Sequence, residues 1–215
     1  MKNVLITGLD KEFDKKLASV FTREGYNIFA MGNEQIAGVK QLPVDLKEAA
    51  GAIKKDSGCL DIFIDTTDVR SRSDYFNVRS GLNYQVIKEL YDANVTRPME
   101  MLEVFYPLLD EGEGKRLCYL TSAEASINET RGTEGYGYKM AKAGLHNFLQ
   151  ITWNVLVPKN YTLRVFDPVY DDNQLAAEAA FNYFTRGRGV ERGDPKRDDE
   201  NNLVFRDAYG RQHAW

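Results

Sequence analysis

Short apolar runs with little polar alternation, separated by segments of helical period, limit what this chain can become more than any other feature. The runs lie at 4–6, 27–30, 40–44, 61–64, 117–120, 162–166 and 203–205. Helical patterns occupy about 11–24, 46–56, 83–109, 137–157 and 173–185 between them. A strand that is apolar on both sides must be covered on both faces, and strands alternating with helices place those covers. The pattern therefore predicts an α/β, doubly wound, largely parallel sheet of about seven strands with helices on both faces. Such sheets bind ligands in the crevice at the strand C-termini.

The chain's 215 residues suit one domain spanning 1–215. The segment 185–202, rich in Gly and in both signs of charge, reads as a charged surface loop. A formal net charge of -4 and the lack of a basic stripe argue against a nucleic-acid partner. No apolar run is long enough to span a membrane. Met1 leads at once into the first strand, so no signal peptide is expected, and Cys59 and Cys118 read as reduced thiols of a cytoplasmic protein. His146 and His213 lack partners at metal-ligand spacing, so no metal is expected.

Four polar residues fall at strand ends or on helices that would face the crevice. Asn94 sits inside a helical stretch that its side chain disfavours. Ser122 ends the fifth run. Tyr138 and Lys142 lie four residues apart, which puts them on one helix face. An ammonium group near a phenol favours the phenolate, bringing the tyrosine toward useful acid/base chemistry.

In order and spacing, these residues resemble the Asn-Ser-Tyr-Lys tetrad of the short-chain dehydrogenases/reductases. Segment 122–148, with its Ser126-Ile127 pair and its Gly135-Tyr136-Gly137-Tyr138 approach, is similar to the branch containing sniffer-type carbonyl reductases and C-factor-like proteins. So are Phe205-Arg206-Asp207-Ala208-Tyr209-Gly210 and Trp215, and the resemblance covers the whole chain. It implies a Rossmann-type domain and an NAD(P)-dependent oxidoreductase interconverting a carbonyl and an alcohol. Tyr138 would be the general acid/base, and Ser122 would hydrogen-bond the substrate oxygen. Lys142 would lower the Tyr138 pKa and hold the nicotinamide ribose, and Asn94 would position a water linking Lys142 to solvent. The cofactor would meet Thr7, Gly8, Lys11, Asp45, Thr66, Lys142 and Pro168. Lys11 favours NADP slightly over NAD, while Ala30-Met31-Gly32-Asn33 does not distinguish the two.

The chain departs from that pattern in the cofactor half. The family's Thr-Gly-x-x-x-Gly-x-Gly is here Thr7-Gly8-Leu9-Asp10-Lys11-Glu12-Phe13-Asp14, with acids in place of two glycines. Asn-Asn-Ala-Gly becomes Asp65-Thr66-Thr67-Asp68, and Pro-Gly becomes Pro168-Val169. The short stretch after Pro168 predicts an open cleft, a large substrate or closure by a neighbouring subunit. These changes motivate an alternative, a non-catalytic nucleotide-sensing or partner-binding protein on the same fold. Family relatives pair through two long helices, here about 95–109 and 137–157. Phe105, Tyr106, Leu145, Phe148 and Trp153 would supply the apolar surface of a homodimer or homotetramer, or else pack in an internal core.

Overall fold

A computed structural model describes residues 1–32, 34–187 and 202–215. Asn33 and most of the 185–202 loop lie outside the described residues. The strands are β1 (Asn3–Ile6), β2 (Asn27–Ala30), β3 (Val39–Gln41), β4 (Ile62–Asp65), β5 (Arg116–Leu120), β6 (Thr162–Asp167), β7 (Phe205–Asp207) and β8 (Gln212–His213). They form one sheet in the order β3-β2-β1-β4-β5-β6-β7-β8. All pairings are parallel except β7 with β8. The expected doubly wound sheet is present. It has one strand more than expected, because two residues are too short a run to show a pattern.

Every residue of β1, β4 and β6 is buried, as non-alternating strands require. Helices α1 (Glu12–Arg23), α2 (Leu46–Asp56), α3 (Tyr84–Tyr91), α4 (Arg97–Glu111), α5 (Tyr136–Leu156) and α6 (Asn173–Thr185) provide the cover. One apolar layer joins the sheet to α2, α4 and α5 through Phe63, Phe105, Leu145 and Leu149. The opposite layer joins it to α1 and α6 through Ile6, Phe13, Leu17, Ala177 and Phe184. A third, small cluster of Phe76, Val86, Leu90 and Tyr138 seats the long segment between β4 and α3. Phe105 and Leu145 are therefore core residues, the second of the two placements open to them, and not part of a subunit-facing surface.

The chain runs from β1 toward β3 on one side and from β4 outward on the other. The reversal lies between β1 and β4, paired at Ile6 and Ile64, and opens a crevice at their C-terminal ends. Thr7 stitches the two ends together. Its hydroxyl donates to Asp65 Oδ1 at 3.2 Å and accepts from Thr66 N at 3.0 Å.

Candidate active site at the β1–β4 crevice

Helix α5 brings Tyr138 and Lys142 to this crevice, and a distant loop fixes where it starts. Gly135 precedes the helix at φ 79°, with no side-chain cap of its own. Asp74, from the β4–α3 segment, caps it instead. Its carboxylate accepts from Gly137 N at 2.9 Å and Tyr138 N at 2.8 Å, and its carbonyl accepts from Gly135 N at 3.0 Å. A negative group at a helix N-terminus satisfies orphan N–H groups and meets the positive end of the dipole. A Cβ on Gly137 would come within 2.7 Å of Leu90 Cδ1, which explains glycine there.

Asn94 occupies a π-helical turn, Asp92–Thr96, between α3 and α4. The wider turn accommodates a residue that a regular helix disfavours. Its amide is fully buried and clamps the main chain just beyond Asp68. Oδ1 accepts from Val69 N, while Nδ2 donates to Val69 O and Leu90 O, all at 2.9 Å. Asn94 is thus placed as a positioning residue for this loop.

Lys142 is fully buried. It donates to Thr67 O at 2.6 Å and Leu120 O at 3.3 Å, and lies 3.8 Å from Asp68 Oδ1. Burial lowers its pKa to about 8, against the opposing pull of Asp68 and Asp65. Ser122 lies two residues beyond β5 and accepts from Glu124 N at 3.2 Å, while its hydroxyl favours ionised Tyr138 by hydrogen bonding.

Asp68 stands at the centre. Tyr138 donates its phenolic proton to Asp68 Oδ1 at 2.5 Å, and Arg70 donates to the phenol oxygen at 3.0 Å while stacking 4.0 Å from the ring centroid. The expectation that Lys142 lowers the Tyr138 pKa is corrected in this state. Burial first, then the Asp68 carboxylate, push the phenol well above its ordinary value. Asp68 is held down at about 2: burial opposes this, but Lys142 and Lys11 outweigh it, with help from Tyr138 and Arg70.

The β1–α1 turn separates its two acids. Glu12 points outward and pairs with Lys16 at 3.6 Å. Asp14 turns inward, where Oδ2 accepts from Lys11 N at 3.2 Å and Oδ1 is buried with no partner among the described residues. Burial raises its pKa to about 7. Gly8 is explained by packing, since a Cβ there would meet Thr66 Oγ1 at 3.0 Å. Lys11 does not face the end of β2. It crosses the crevice to Asp68, 2.5 Å from its carbonyl and 3.1 Å from Oδ2. Asp45 caps α2, accepting from Lys47 N and Glu48 N.

The stretch after Pro168 does not leave the crevice bare. Val169 and Tyr170 both adopt left-handed backbone, at φ 60° and 62°. The Val169 position keeps a glycine-like conformation with a β-branched residue, anchored by a 2.8 Å bond from Val169 N to Asp167 Oδ1. This turn sends the Tyr170 hydroxyl to 3.4 Å from Asp68 Oδ2 and its ring against Phe13. Beside Tyr138, a pocket of about 310 Å³ is lined by Arg70, Ser71, Asp74, Tyr75, Glu124 and Lys139, among others.

No family model matches the chain, and no curated protein matches its sequence. Solved structures match its shape from end to end. The carbonyl reductase Sniffer of D. melanogaster is 14% identical with a TM-score of 0.82, and the match covers 100% of both chains. The chain has the short-chain dehydrogenase/reductase fold. A carbonyl reductase from Pseudomonas aeruginosa PAO1 in complex with NADP is 17% identical, with a TM-score of 0.75 and 100% of both chains covered. A Serratia marcescens short-chain dehydrogenase/reductase is 16% identical at a TM-score of 0.70, covering 85% of this chain and 89% of its own.

Within this short-chain dehydrogenase/reductase fold, Tyr138 and Lys142 converge on the Asp68 carboxylate, Asn94 holds the loop just beyond it, and Ser122 lies beside Tyr138. Arg70, Asp74 and Tyr170 were not singled out from the sequence. Arg70 and Asp74 stand in the polar run Arg70-Ser71-Arg72-Ser73-Asp74, a signal that period-based reading passes over as loop. Among the described residues, no group of three or more His, Cys, Asp or Glu could hold a metal. No described helix is long and apolar enough to cross a membrane. Cys59 and Cys118 are free, with Cys118 buried.

Proposed function

We propose that this chain is an NAD(P)-dependent oxidoreductase interconverting a carbonyl and an alcohol, with Tyr138 as general acid/base. One observation carries the reading. The Tyr138 hydroxyl and Lys142 Nζ, with Lys11 Nζ opposite, surround a single pair of oxygens at the reversal crevice of the sheet. The hydroxyls of a nicotinamide ribose also accept hydrogen bonds, so Tyr138 and Lys142 can donate to them as they do to the carboxylate, and the cationic Lys11 fits a phosphate. The reacting end therefore fits the cofactor once Asp68 is displaced.

Lys142 and Tyr138 would hold the ribose, with Thr66 and Pro168 bordering the nicotinamide. Thr7, Gly8 and Lys11 would border the diphosphate, and Asp45 the adenine. When bound, the cofactor supplies or accepts the hydride. The chain's own part is to orient the carbonyl oxygen on Ser122 and Tyr138 and to deliver the phenolic proton as charge develops there. A slight preference for NADP would rest on Lys11, and requires Lys11 to leave Asp68.

The rival reading, a non-catalytic protein that senses a nucleotide or binds a partner, is favoured by Asp68 itself, which occupies the site. Titration with NADPH and NADH, followed by nicotinamide fluorescence, separates the two. Saturable binding supports the enzyme; no binding of either at millimolar concentration removes it.

We propose further that residues 1–215 form one domain of a cytoplasmic protein. A small-molecule carbonyl or alcohol is its substrate, and it has no nucleic-acid partner. Tyr91, Met99, Ile151 and Val155 are each at least 44% exposed, and with half-buried Tyr106 and Phe148 they line a groove of about 1030 Å³ along α4 and α5. A second copy of the chain would cover it, giving a homodimer or homotetramer.

A further inference from the structure

Asp68 is a buried carboxylate with more partners than its fold position needs. Its side chain is 5% exposed. Oδ1 takes the Tyr138 proton donor at 2.5 Å and lies 3.8 Å from Lys142 Nζ. Oδ2 lies 3.1 Å from Lys11 Nζ, 3.4 Å from Tyr170 Oη and 3.8 Å from Arg70 Nε. These partners come from four places in the chain: the start of α1, the loop after β4, α5 and the turn after β6. A surface aspartate in a loop acquires one partner by chance; ringed by three cations and two phenols, it sits in a site built for an anion. The next residue, Val69, is held at both backbone polar groups by Asn94, so the carboxylate is presented in a set position.

We propose that Asp68 is a built-in occupant of the active site. Its carboxylate stands in for the oxygens of an incoming ligand, so a nucleotide binds only by displacing it. This rests on the functional reading above but makes a separate claim about the unliganded protein. Displacement would break the Lys11 and Tyr138 contacts together, and it would free Tyr138 and Lys142 at the moment a ligand arrives. The emptied locus would be a small-carboxylate site, lined by Lys11, Arg70, Tyr138, Lys142 and Tyr170.

The test compares the wild-type protein with Asp68→Asn, which keeps size but removes the charge and one acceptor oxygen, and Asp68→Ala, which vacates the locus. Circular dichroism checks that both are folded. NADPH affinity, read by nicotinamide fluorescence, is expected to rise about tenfold or more in both variants. Formate is expected to compete with NADPH in Asp68→Ala and not in the wild type. Independently of any nucleotide, the tyrosinate absorption band is followed against pH as a difference from the matching Tyr138→Phe protein. Tyr138 faces Asp68, Arg70, Ser122 and Lys142, and its ionisation is expected to move down by at least about one pH unit in both variants. Formate is expected to reverse the shift in Asp68→Ala.

Measurable NADPH binding of equal affinity in the wild type and both variants would overturn the proposal. So would an unmoved Tyr138 ionisation. If no protein binds NADPH while the ionisation shift and its reversal by formate are seen, the occupant stands and the dinucleotide reading falls.

Discussion

The two ends of the crevice follow opposite rules. At the α5 end, charge is buried and fully partnered: Lys142 is satisfied by two carbonyls, Tyr138 by Asp68 and Arg70, and the helix start by Asp74. At the β1–α1 end, Asp14 is buried with one oxygen unpartnered, and the pyrophosphate-facing glycines of related folds are replaced by acids. The first end is closed electrostatically on itself; the second holds an acid that is only half satisfied. Lys11 and Asp68 tie the two together, so neither can be altered without being felt at the other. The lesson is that a complete set of candidate catalytic side chains and an accessible site are separate properties.

The largest expected effect breaks the comparison at the α5 end. Tyr138→Phe should lower any carbonyl reduction by at least about 100-fold, the usual scale of a lost general acid, and cost about 1 kcal/mol or more of stability through the lost hydrogen bond to Asp68. Assay of both proteins over a panel of aldehydes and ketones checks it. Equal rates would remove Tyr138 from the chemistry.

Asp74→Ala should cost about 2 kcal/mol in denaturant unfolding, because it strips a charged cap from α5 and leaves buried N–H groups unpaired. It should also loosen Tyr138, so turnover falls more than a change of a surface loop would cause. A loss below about 0.5 kcal/mol would show that α5 caps itself.

At the other end, the prediction concerns pH. The folded Asp14 pKa of about 7 lies above its ordinary value of 3.8, so the folded state binds this proton more tightly than the unfolded one. Its contribution to stability is therefore full below pH 3.8 and declines as pH rises toward 7, at most by roughly 1.4 kcal/mol per pH unit. Asp68 acts in the opposite sense: its folded pKa of about 2 gives stability that is lost as pH falls below about 4. Asp14→Asn should flatten the decline between pH 4 and 7, gaining on the order of 1–2 kcal/mol at pH 8. Parallel wild-type and variant stability curves across that range would show that Asp14 is not strained.

The smallest effect is at Val169. Replacing a β-branched residue with glycine ordinarily destabilises, yet Val169→Gly should stabilise by about 1 kcal/mol, because the φ of 60° is one that glycine adopts freely. A loss of stability would mean that Val169 packing outweighs its backbone strain.

Much of this was legible from residue order. The period of apolar residues placed five helical patterns, although 83–109 proved to be two helices joined by a π turn. The disfavoured Asn94 marked that turn, and the Tyr138–Lys142 spacing marked a shared face. These follow from local physics, because strand burial, helix period and residue propensity act over a few neighbours. Residue order leaves open whether Phe105 and Leu145 face a second copy or the core, since period alone does not tell a helix face against the sheet from one against a partner; both proved to be core. The partners of the site come from farther off. Asp68 meets Tyr138 across 70 positions, and Asp74 meets its backbone N across 64. Which acid of the β1–α1 turn faces inward, and whose carboxylate fills the crevice, depend on side-chain direction and on loops that only the packed sheet brings together. Residue order supplied the candidate catalytic groups; tertiary contact decided that Tyr138 and Lys142 are held by one of the chain's own acids.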